Sequence, residues 1–242
     1  MKFLQDYFSR HSSSVVVSAR QGDGFAKRVA NDFNPIHDHD SKRFCVPGDL
    51  LFAIALSEYG ISESMHFRFA ELLKADRKLI LPEIQDLTDT KERSIEICNE
   101  REKVVLQLTL DGKTTCKDVC NEQLARRYVR FSGENFPHIL LPLMREHQVM
   151  FHPTRPLVIY EQMSLLFKQT EFRDLTIKLS NTYLEVEGKR GNAWLEFDLL
   201  DQDREIGKGR KKLVLSGLRP FDEHAIKGMC DAYEARRSLV SS

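Results

Sequence analysis

The sequence predicts an α+β fold in which a buried helix lies against an antiparallel sheet. Residues 47–60 are apolar on every face in their middle part, and their Leu and Ala content favours a helix that is buried all round. Asp49 and Gly60 stand where they can cap the two ends of this helix. Because several β-type segments follow without intervening helices, an antiparallel sheet is favoured over a parallel, doubly wound one.

The strands are predicted from apolar residues that mostly recur at every second position. In the first half of the chain they cover residues 65–70, 78–81, 94–98 and 104–110. A second apolar helix is predicted at 155–167, followed by strands at 174–179, 183–186, 193–199 and 212–215. A last amphipathic helix is expected within 221–239.

The order of elements in the first half recurs about 105 residues later, which predicts a duplicated chain. The segments before the two predicted helices, 28–37 and 130–138, share an Arg, an acid four positions later, a Pro and a His, although the second is one residue shorter. We therefore expect one unit at 1–122 and a degenerate second unit at 123–242.

The composition excludes several classes of function. The 242 residues contain 36 Lys and Arg and 36 Asp and Glu, so no net charge attracts a nucleic acid or an anionic membrane. Apolar runs stay well below the roughly 18 residues of a membrane helix, and the N-terminal segment lacks the apolar stretch of a signal peptide. The five cysteines are an odd number in a chain of this size, which indicates reduced thiols and a cytoplasmic location.

The densest chemical signal is the loop before the first helix, with Asp32, Asn34, Pro35 and His37. The Asn-Pro step favours a turn, and only a specific loop geometry can bring Asp32 and His37 together on one water molecule. A carboxylate beside an imidazole suits general acid/base chemistry, because the imidazole titrates near neutral pH and the carboxylate orients it.

These residues resemble the MaoC-like hotdog family of (R)-specific enoyl-CoA hydratases and dehydratases. The match consists of the Asp-x-Asn-Pro-x-His pattern at 32–37, the Pro47-Gly48 step and the apolar helix that follows. The resemblance implies a double hotdog, in which the first half carries the motif and the second half helps to enclose the acyl chain. A homodimer is a further expectation.

The resemblance also implies a set of roles. Asp32 and His37 would be the acid/base pair, Asn34 would support the loop, and the Gly48 N–H would bind the thioester oxygen as an oxyanion donor, as helix N-termini can. The expected ligand is an acyl thioester of coenzyme A or of a carrier protein, without metal or cofactor. Asn31 replaces the usual Gly before the acid, and Asn tolerates positive φ. Asp49 stands where an apolar residue is common, and its carboxylate would oppose a developing negative charge.

Three other interpretations stay open. The loop could be purely structural, so that the protein is a non-catalytic module that binds acyl groups or a protein partner. The cluster His37–Asp40 could bind a divalent metal, although consecutive residues rarely converge as ligands. The basic run 208–212 could bind a phosphate of coenzyme A, but an exposed, charged strand is favoured.

Overall fold

The computed structural model of the protein describes residues 1–84 and 90–240. The helices are α1 (Ala19–Phe25), α2 (Gly48–Tyr59), α3 (Asp118–Gly133), α4 (Leu140–Glu146) and α5 (Glu223–Val240). The strands are β1 (Ser9–His11), β2 (Ser14–Val16), β3 (Ile61–Phe69), β4 (Lys78–Ile80), β5 (Arg93–Asn99), β6 (Val104–Thr115), β7 (Val149–Met150), β8 (Val158–Phe167), β9 (Leu175–Glu187), β10 (Arg190–Asp201), β11 (Arg204–Ser216) and β12 (Arg219–Pro220).

Within the described residues, ten strands form one antiparallel sheet in the order β1-β2-β4-β5-β6-β3-β8-β11-β10-β9. Strands β3 and β8 join the two halves of the sheet and pair with each other from Ser64↔Leu166 to Arg68↔Gln162. Outward from this pair the sequence β3-β6-β5-β4 on one side mirrors β8-β11-β10-β9 on the other. The predicted repeat is therefore present in the strand topology, at an interval close to the expected one.

Most predicted elements of the first half are confirmed. Helix α2 covers the apolar segment, nearly all of its residues are buried, and it ends at Gly60 with φ 75°. Strands β3 to β6 occupy the predicted positions, with β6 running further to Thr115. The predicted cap at the start of α2 is wrong: Pro47 occupies the N-cap position, no side chain caps the helix, and Asp49 points into the protein.

The helix predicted at 155–167 is wrong, because this segment forms strand β8 at the centre of the sheet. Residues 163–167 alternate between buried and exposed, and the exposed Leu166 made the segment look apolar on all faces. The helix that precedes the first strand of the second half is α4, with only seven residues. The segments 174–179 and 183–186 belong to one long strand, β9, and the tail forms α5 as predicted.

The predicted boundary between residues 122 and 123 falls inside helix α3. The strand repeat divides earlier, between the end of β6 and the start of α3. Helix α3 packs on α2, so it joins the core of the first half although its chain leads into the second. The two halves therefore contact each other through the packing of α3 on α2 and through the pairing of β3 with β8.

Two hydrophobic cores lie under the sheet. The larger one contains α2, one face of α3 and the inner side chains of the first-half strands. The smaller one contains α4 and the inner side chains of β9, β10 and β11, with α5 packed against it. Tyr160 contacts both cores, and a cavity lies where they meet. No helix among the described residues is long and apolar enough to cross a membrane.

Candidate active site

The loop that carries the Asp32–His37 motif is shaped by its own residues. Helix α1 continues as π-helical turns through Ala30 and ends at Asn31, whose φ of 55° is the left-handed conformation that Asn tolerates. The Asp32 carboxylate then accepts a hydrogen bond from the Asn34 N–H at 2.9 Å, and the Asn34 side chain accepts one from the Ile36 N–H at 3.2 Å. Asn34 therefore caps the short 3-10 turn Pro35–His37, which supports its predicted role in the loop.

This loop brings Asp32 and His37 together. The imidazole Nε2 of His37 lies 3.6 Å from Oδ2 of Asp32, and its Nδ1 lies 2.9 Å from the carbonyl oxygen of Cys45. Because a carbonyl can only accept, Nδ1 carries a proton and Nε2 faces the carboxylate. Burial alone would lower the pKa of His37, but its contacts with Cys45 and the charge of Asp32 raise that pKa to about 9. At neutral pH the pair is an imidazolium beside a carboxylate.

Gly48 begins helix α2 next to this pair. Among the hydrogen bonds of the described residues, none has the Gly48 N–H as its donor, so this amide is available at the positive end of the helix. A side chain here would crowd the site, since a Cβ on Gly48 would lie 3.0 Å from Cδ1 of Tyr160 and 3.6 Å from Cε1 of Phe69. The predicted oxyanion donor thus borders the cavity that Asp32 and His37 also line.

A second group of charges lines the same cavity. Asp49 on α2 accepts a hydrogen bond from the Ser132 hydroxyl at 2.6 Å, and the Lys211 ammonium on β11 donates to the hydroxyl and to the carbonyl oxygen of Ser132. Lys211 is 2% exposed and Asp49 7%. Burial raises the pKa of Asp49, with Lys211 and Ser132 opposing it, and burial lowers the pKa of Lys211, with Asp49 and Asp32 opposing it.

Two tyrosines complete this group. The hydroxyls of Tyr128 on α3 and Tyr160 on β8 hydrogen-bond to each other, and Nζ of Lys211 lies 4.2 Å from the centre of the Tyr160 ring. A register shift between β8 and β11, at Lys212 and Leu213, turns Tyr160 inward while Glu161 faces outward to Lys212. Burial raises the pKa of both tyrosine hydroxyls well above its usual value.

The cavity has a volume of about 600 Å³, within the usual range for a small-molecule site. We call Asp32 and His37 the loop wall, and Asp49, Ser132 and Lys211 the core wall. Apolar side chains from both halves form most of the remaining surface, namely Leu51, Phe69, Phe136, Leu140, Phe151 and Leu213. Helix α5 covers one side, where the Tyr233 hydroxyl donates to the carbonyl oxygen of Asn31 at 3.3 Å.

The metal interpretation of the cluster His37–Asp40 has no geometric support in the described part of the chain. His37 faces inward, whereas Nδ1 of His39 lies 2.7 Å from Oδ2 of Asp23 on the surface. Asp38 pairs with Lys27 at 3.0 Å. The neighbouring residues of the cluster thus point to different partners, and no group of three potential ligands is found among the residues that are described.

Sequence reasoning missed the core wall. In the basic run 208–212, Lys208, Arg210 and Lys212 face outward and pair with Glu205, Glu196 and Glu161, as the exposed-strand interpretation expects. The strand is central rather than at an edge. Lys211 belongs to the inward set, in phase with Gly209, Leu213 and Leu215, and this period of two was the signal that could have identified it.

The fold defines the class of the protein. The structure is similar to a TesB protein of Mycobacterium avium subsp. paratuberculosis, with a TM-score of 0.50 and 8% identity over 88% of this chain and 98% of that one. It is also similar to a conserved protein of unknown function with a hotdog fold from Alicyclobacillus acidocaldarius, with a TM-score of 0.50 and 8% identity over 91% and 99% of the two chains. At such identities the likeness concerns the fold, which is the α+β double hotdog that the sequence predicts.

Within that class, a family model described as "Protein of unknown function (DUF3581)" matches residues 2–224, and the chain belongs to this family. None of the curated proteins matches the chain. The matched residues include both walls of the cavity and end near the start of α5.

Proposed function

We propose that the protein binds an acyl thioester of coenzyme A or of a carrier protein and adds water to, or removes it from, the acyl chain, as a MaoC-like hydratase does. The proposal depends on one observation above all: a histidine and a carboxylate 3.6 Å apart border the same cavity as the available N–H of Gly48. Acid, base and oxyanion donor are the three groups that hydration of an enoyl thioester needs.

We infer the roles of Asp32 and His37 from the charge state of the loop wall. In hydration, the Asp32 carboxylate takes a proton from the water whose oxygen bonds to the β-carbon. The His37 imidazolium, protonated at neutral pH because its pKa is about 9, donates its Nε2 proton to the α-carbon. The double bond is consumed, and one proton has entered and one has left the pair. Transfer from Asp32 to His37 across the 3.6 Å gap restores the starting state.

Gly48 would stabilise the enolate oxygen that forms between these two proton transfers. Its N–H has no other acceptor among the described residues and lies at the start of a twelve-residue helix. The nearby Asp49 would oppose that negative charge if it were ionised. Burial raises its pKa and Lys211 lies close enough to act on it, so this opposition is reduced.

The second half would serve as an enclosure rather than as a second active site. Its counterpart of the motif loop contains Glu134, Asn135 and Phe136, and Glu134 accepts a hydrogen bond from the Asn31 side chain at 2.8 Å. This glutamate therefore supports the loop of the first half. The counterpart of α2 is the short α4, and its core packs around the apolar part of the cavity.

The test is an assay of the purified full chain with enoyl-CoA thioesters of short, medium and long chain, in which hydration and release of free thiol are followed together. We expect hydration, and we expect Asp32→Asn and His37→Gln each to lower it by about 100- to 10,000-fold. Asp40→Asn and His39→Gln, on the outer side of the same loop, are matched controls that should keep full activity.

Other outcomes would overturn the proposal. Thiol release without hydration would indicate thioester hydrolysis instead. A folded protein that binds the thioesters but transforms none of them would be the non-catalytic module. In that case Asp32→Asn should leave thioester binding intact, because the carboxylate would serve only the fold of its loop, where it accepts the hydrogen bond of the Asn34 N–H.

A further inference from the structure

The core wall takes no part in the proposed acid/base chemistry, yet it borders the same cavity. Lys211 is almost fully buried, and its ammonium contacts the hydroxyl and carbonyl oxygens of Ser132 and the face of Tyr160. Among the described residues, the hydrogen bonds that connect Asp49 to Lys211 pass through the Ser132 hydroxyl. The core wall therefore contains a lysine that is separated from its acidic partner by the side chain of one serine.

A buried lysine in this position lowers the stability of the protein and would serve no purpose if the cavity bound only apolar acyl chains. Removing an ammonium from water is strongly unfavourable, and replacing buried charges with apolar residues of similar size often leaves stability equal or higher. The neighbours of Lys211 along the inner face of β11 are Gly209 and Leu213, and the cross-strand neighbours Met163 and Leu195 are buried and apolar. A methionine would fit these surroundings without the cost.

The ammonium of Lys211 favours an anion over a neutral polar group, although the charges of Asp49 and Asp32 act on it as well. A hydroxyl or a keto oxygen on the ligand could be bound by Ser132 or by a tyrosine alone, and would not need a buried ammonium. A carboxylate would gain a charge-assisted hydrogen bond from Lys211. Asp49, whose ionised form is already disfavoured by burial, can take up a proton when a second negative charge arrives.

The position of the core wall relative to the loop wall indicates which part of the ligand it contacts. The two walls border a single space, because all five of their residues line the same cavity. If the thioester carbonyl is at Gly48 and the reacting carbons are at Asp32 and His37, we place the remainder of the acyl group beside Lys211, which lines the same cavity. The contact would therefore be with the acyl chain and not with the carrier.

We propose that the acyl group of the ligand carries a carboxylate that binds Lys211, so that the substrate class is the thioester of a dicarboxylic acid. The assignment of the thioester end depends on the proposed function, whereas the recognition of an anion by Lys211 depends only on the core wall. Lys211 is then a specificity-determining residue, supported by Ser132 and Asp49.

The test uses binding, which needs no turnover. Saturated CoA thioesters are prepared in pairs of equal chain length that end either in a methyl group or in a carboxylate, and their dissociation constants for the full chain are measured by titration calorimetry. We expect the carboxylate member of at least one pair to bind about tenfold more tightly or better. Lys211→Met should abolish this preference, and Lys211→Arg should retain most of it.

Lys212→Met is the matched control, because Lys212 is the next residue, faces outward and pairs with Glu161 at 2.6 Å. It should keep the preference of the unmodified chain. Equal binding within every pair, no binding of any thioester, or a preference that survives in a folded Lys211→Met variant would overturn the inference. Should Lys211→Met not fold, equal binding within the pairs by the unmodified chain still decides against it.

The two proposals can fail separately. A chain that prefers carboxylate-ended thioesters but adds no water to their unsaturated forms would contradict the hydratase and leave the anion site intact. A chain that hydrates methyl-ended enoyl thioesters and shows no preference within the pairs would support the hydratase and contradict the anion site.

Discussion

In the loop wall, contacts with Cys45 and the charge of Asp32 outweigh burial and raise the pKa of His37 to about 9, whereas in the core wall burial prevails over the partners of Asp49 and Lys211. The difference follows from position. The loop wall has backbone groups within reach, such as the Cys45 carbonyl and the Asn34 N–H. In the core wall, which is buried between a helix and the inner face of a sheet, the Ser132 carbonyl oxygen is the backbone group that accepts a hydrogen bond from Lys211.

The two walls therefore contribute to stability with opposite signs. A charged form that the folded protein favours adds to the free energy of unfolding, and one that it disfavours subtracts from it. The loop wall is consistent with a self-stabilising element that could also be catalytic. The core wall costs stability, and residues kept at such a cost commonly serve function. The predictions below test this contrast.

The largest effect on stability is expected from removing one of the two charged side chains of the core wall. Asp49→Ala leaves the buried Lys211 ammonium with Ser132, Tyr160 and the charge of Asp32 as its partners among the described residues, and should lower the free energy of unfolding by about 3–5 kcal/mol. The measurement is denaturant unfolding at neutral pH. Asp40→Ala, an exposed acid of the preceding loop, is the control and should change stability little.

The double variant Asp49→Leu with Lys211→Met completes the comparison. If the core wall costs stability, removing both charges should leave the free energy of unfolding unchanged or raise it by about 1–4 kcal/mol, unlike the single variant. A double variant as unstable as Asp49→Ala would show that the wall is a stabilising ion pair, and the contrast between the two walls would be lost.

The loop wall should instead lose stability at high pH. His37 has a folded pKa of about 9 against an ordinary value of 6.5, so its contribution is fully present below pH 6.5 and is lost as the pH rises through 9. The loss is on the order of 3 kcal/mol. It is measured as the stability difference between the unmodified chain and His37→Gln, followed by denaturant unfolding across this window.

Two variants calibrate that measurement. Asp32→Asn removes one of the charges that raise the pKa of His37, so its pH-dependent loss should be smaller. His39→Gln replaces an exposed histidine of the same loop and should keep the loss of the unmodified chain. A stability difference between the unmodified chain and His37→Gln that stays flat from pH 6.5 to 9 would contradict the ion pair.

How far the sequence predicts this molecule also differs between the walls. The loop wall is local: Asp32, Asn34 and His37 lie within six residues, and the turn chemistry of Asn and Pro is legible in the sequence. Helix α2 could be predicted equally well, because an apolar run rich in Leu and Ala that ends at a Gly favours a buried helix over a strand or a loop. Short-range physics determines the turn and the body of the helix, which is why the sequence could predict them.

The core wall depends on contacts between distant residues. Asp49, Ser132 and Lys211 come from α2, α3 and β11, and their juxtaposition requires the sheet order and the packing of α3 on α2. The same limit explains the error at 155–167. The exposed Leu166 obscured the alternation of β8, and its pairing with β3, about 100 residues earlier in the chain, decided between strand and helix. In both cases the outcome depends on contacts between residues that are far apart in the chain, which a local sequence pattern does not contain.

The smallest predicted effect concerns the point where the two walls meet. Gly133 follows Ser132 of the core wall, and a Cβ added there would lie 2.0 Å from the carbonyl oxygen of Ala30, just before the loop wall. Backbone cannot move aside as a flexible side chain can, so Gly133→Ala should lower the free energy of unfolding by about 1–3 kcal/mol. Gly228→Ala, in α5 with nothing within 4 Å of the new Cβ, is the matched control and should add about 0.5–1 kcal/mol. If this contact positions α3 against the loop wall, Gly133→Ala should also weaken thioester binding measured by calorimetry. A variant that loses stability yet binds unchanged would show that the two walls are positioned independently.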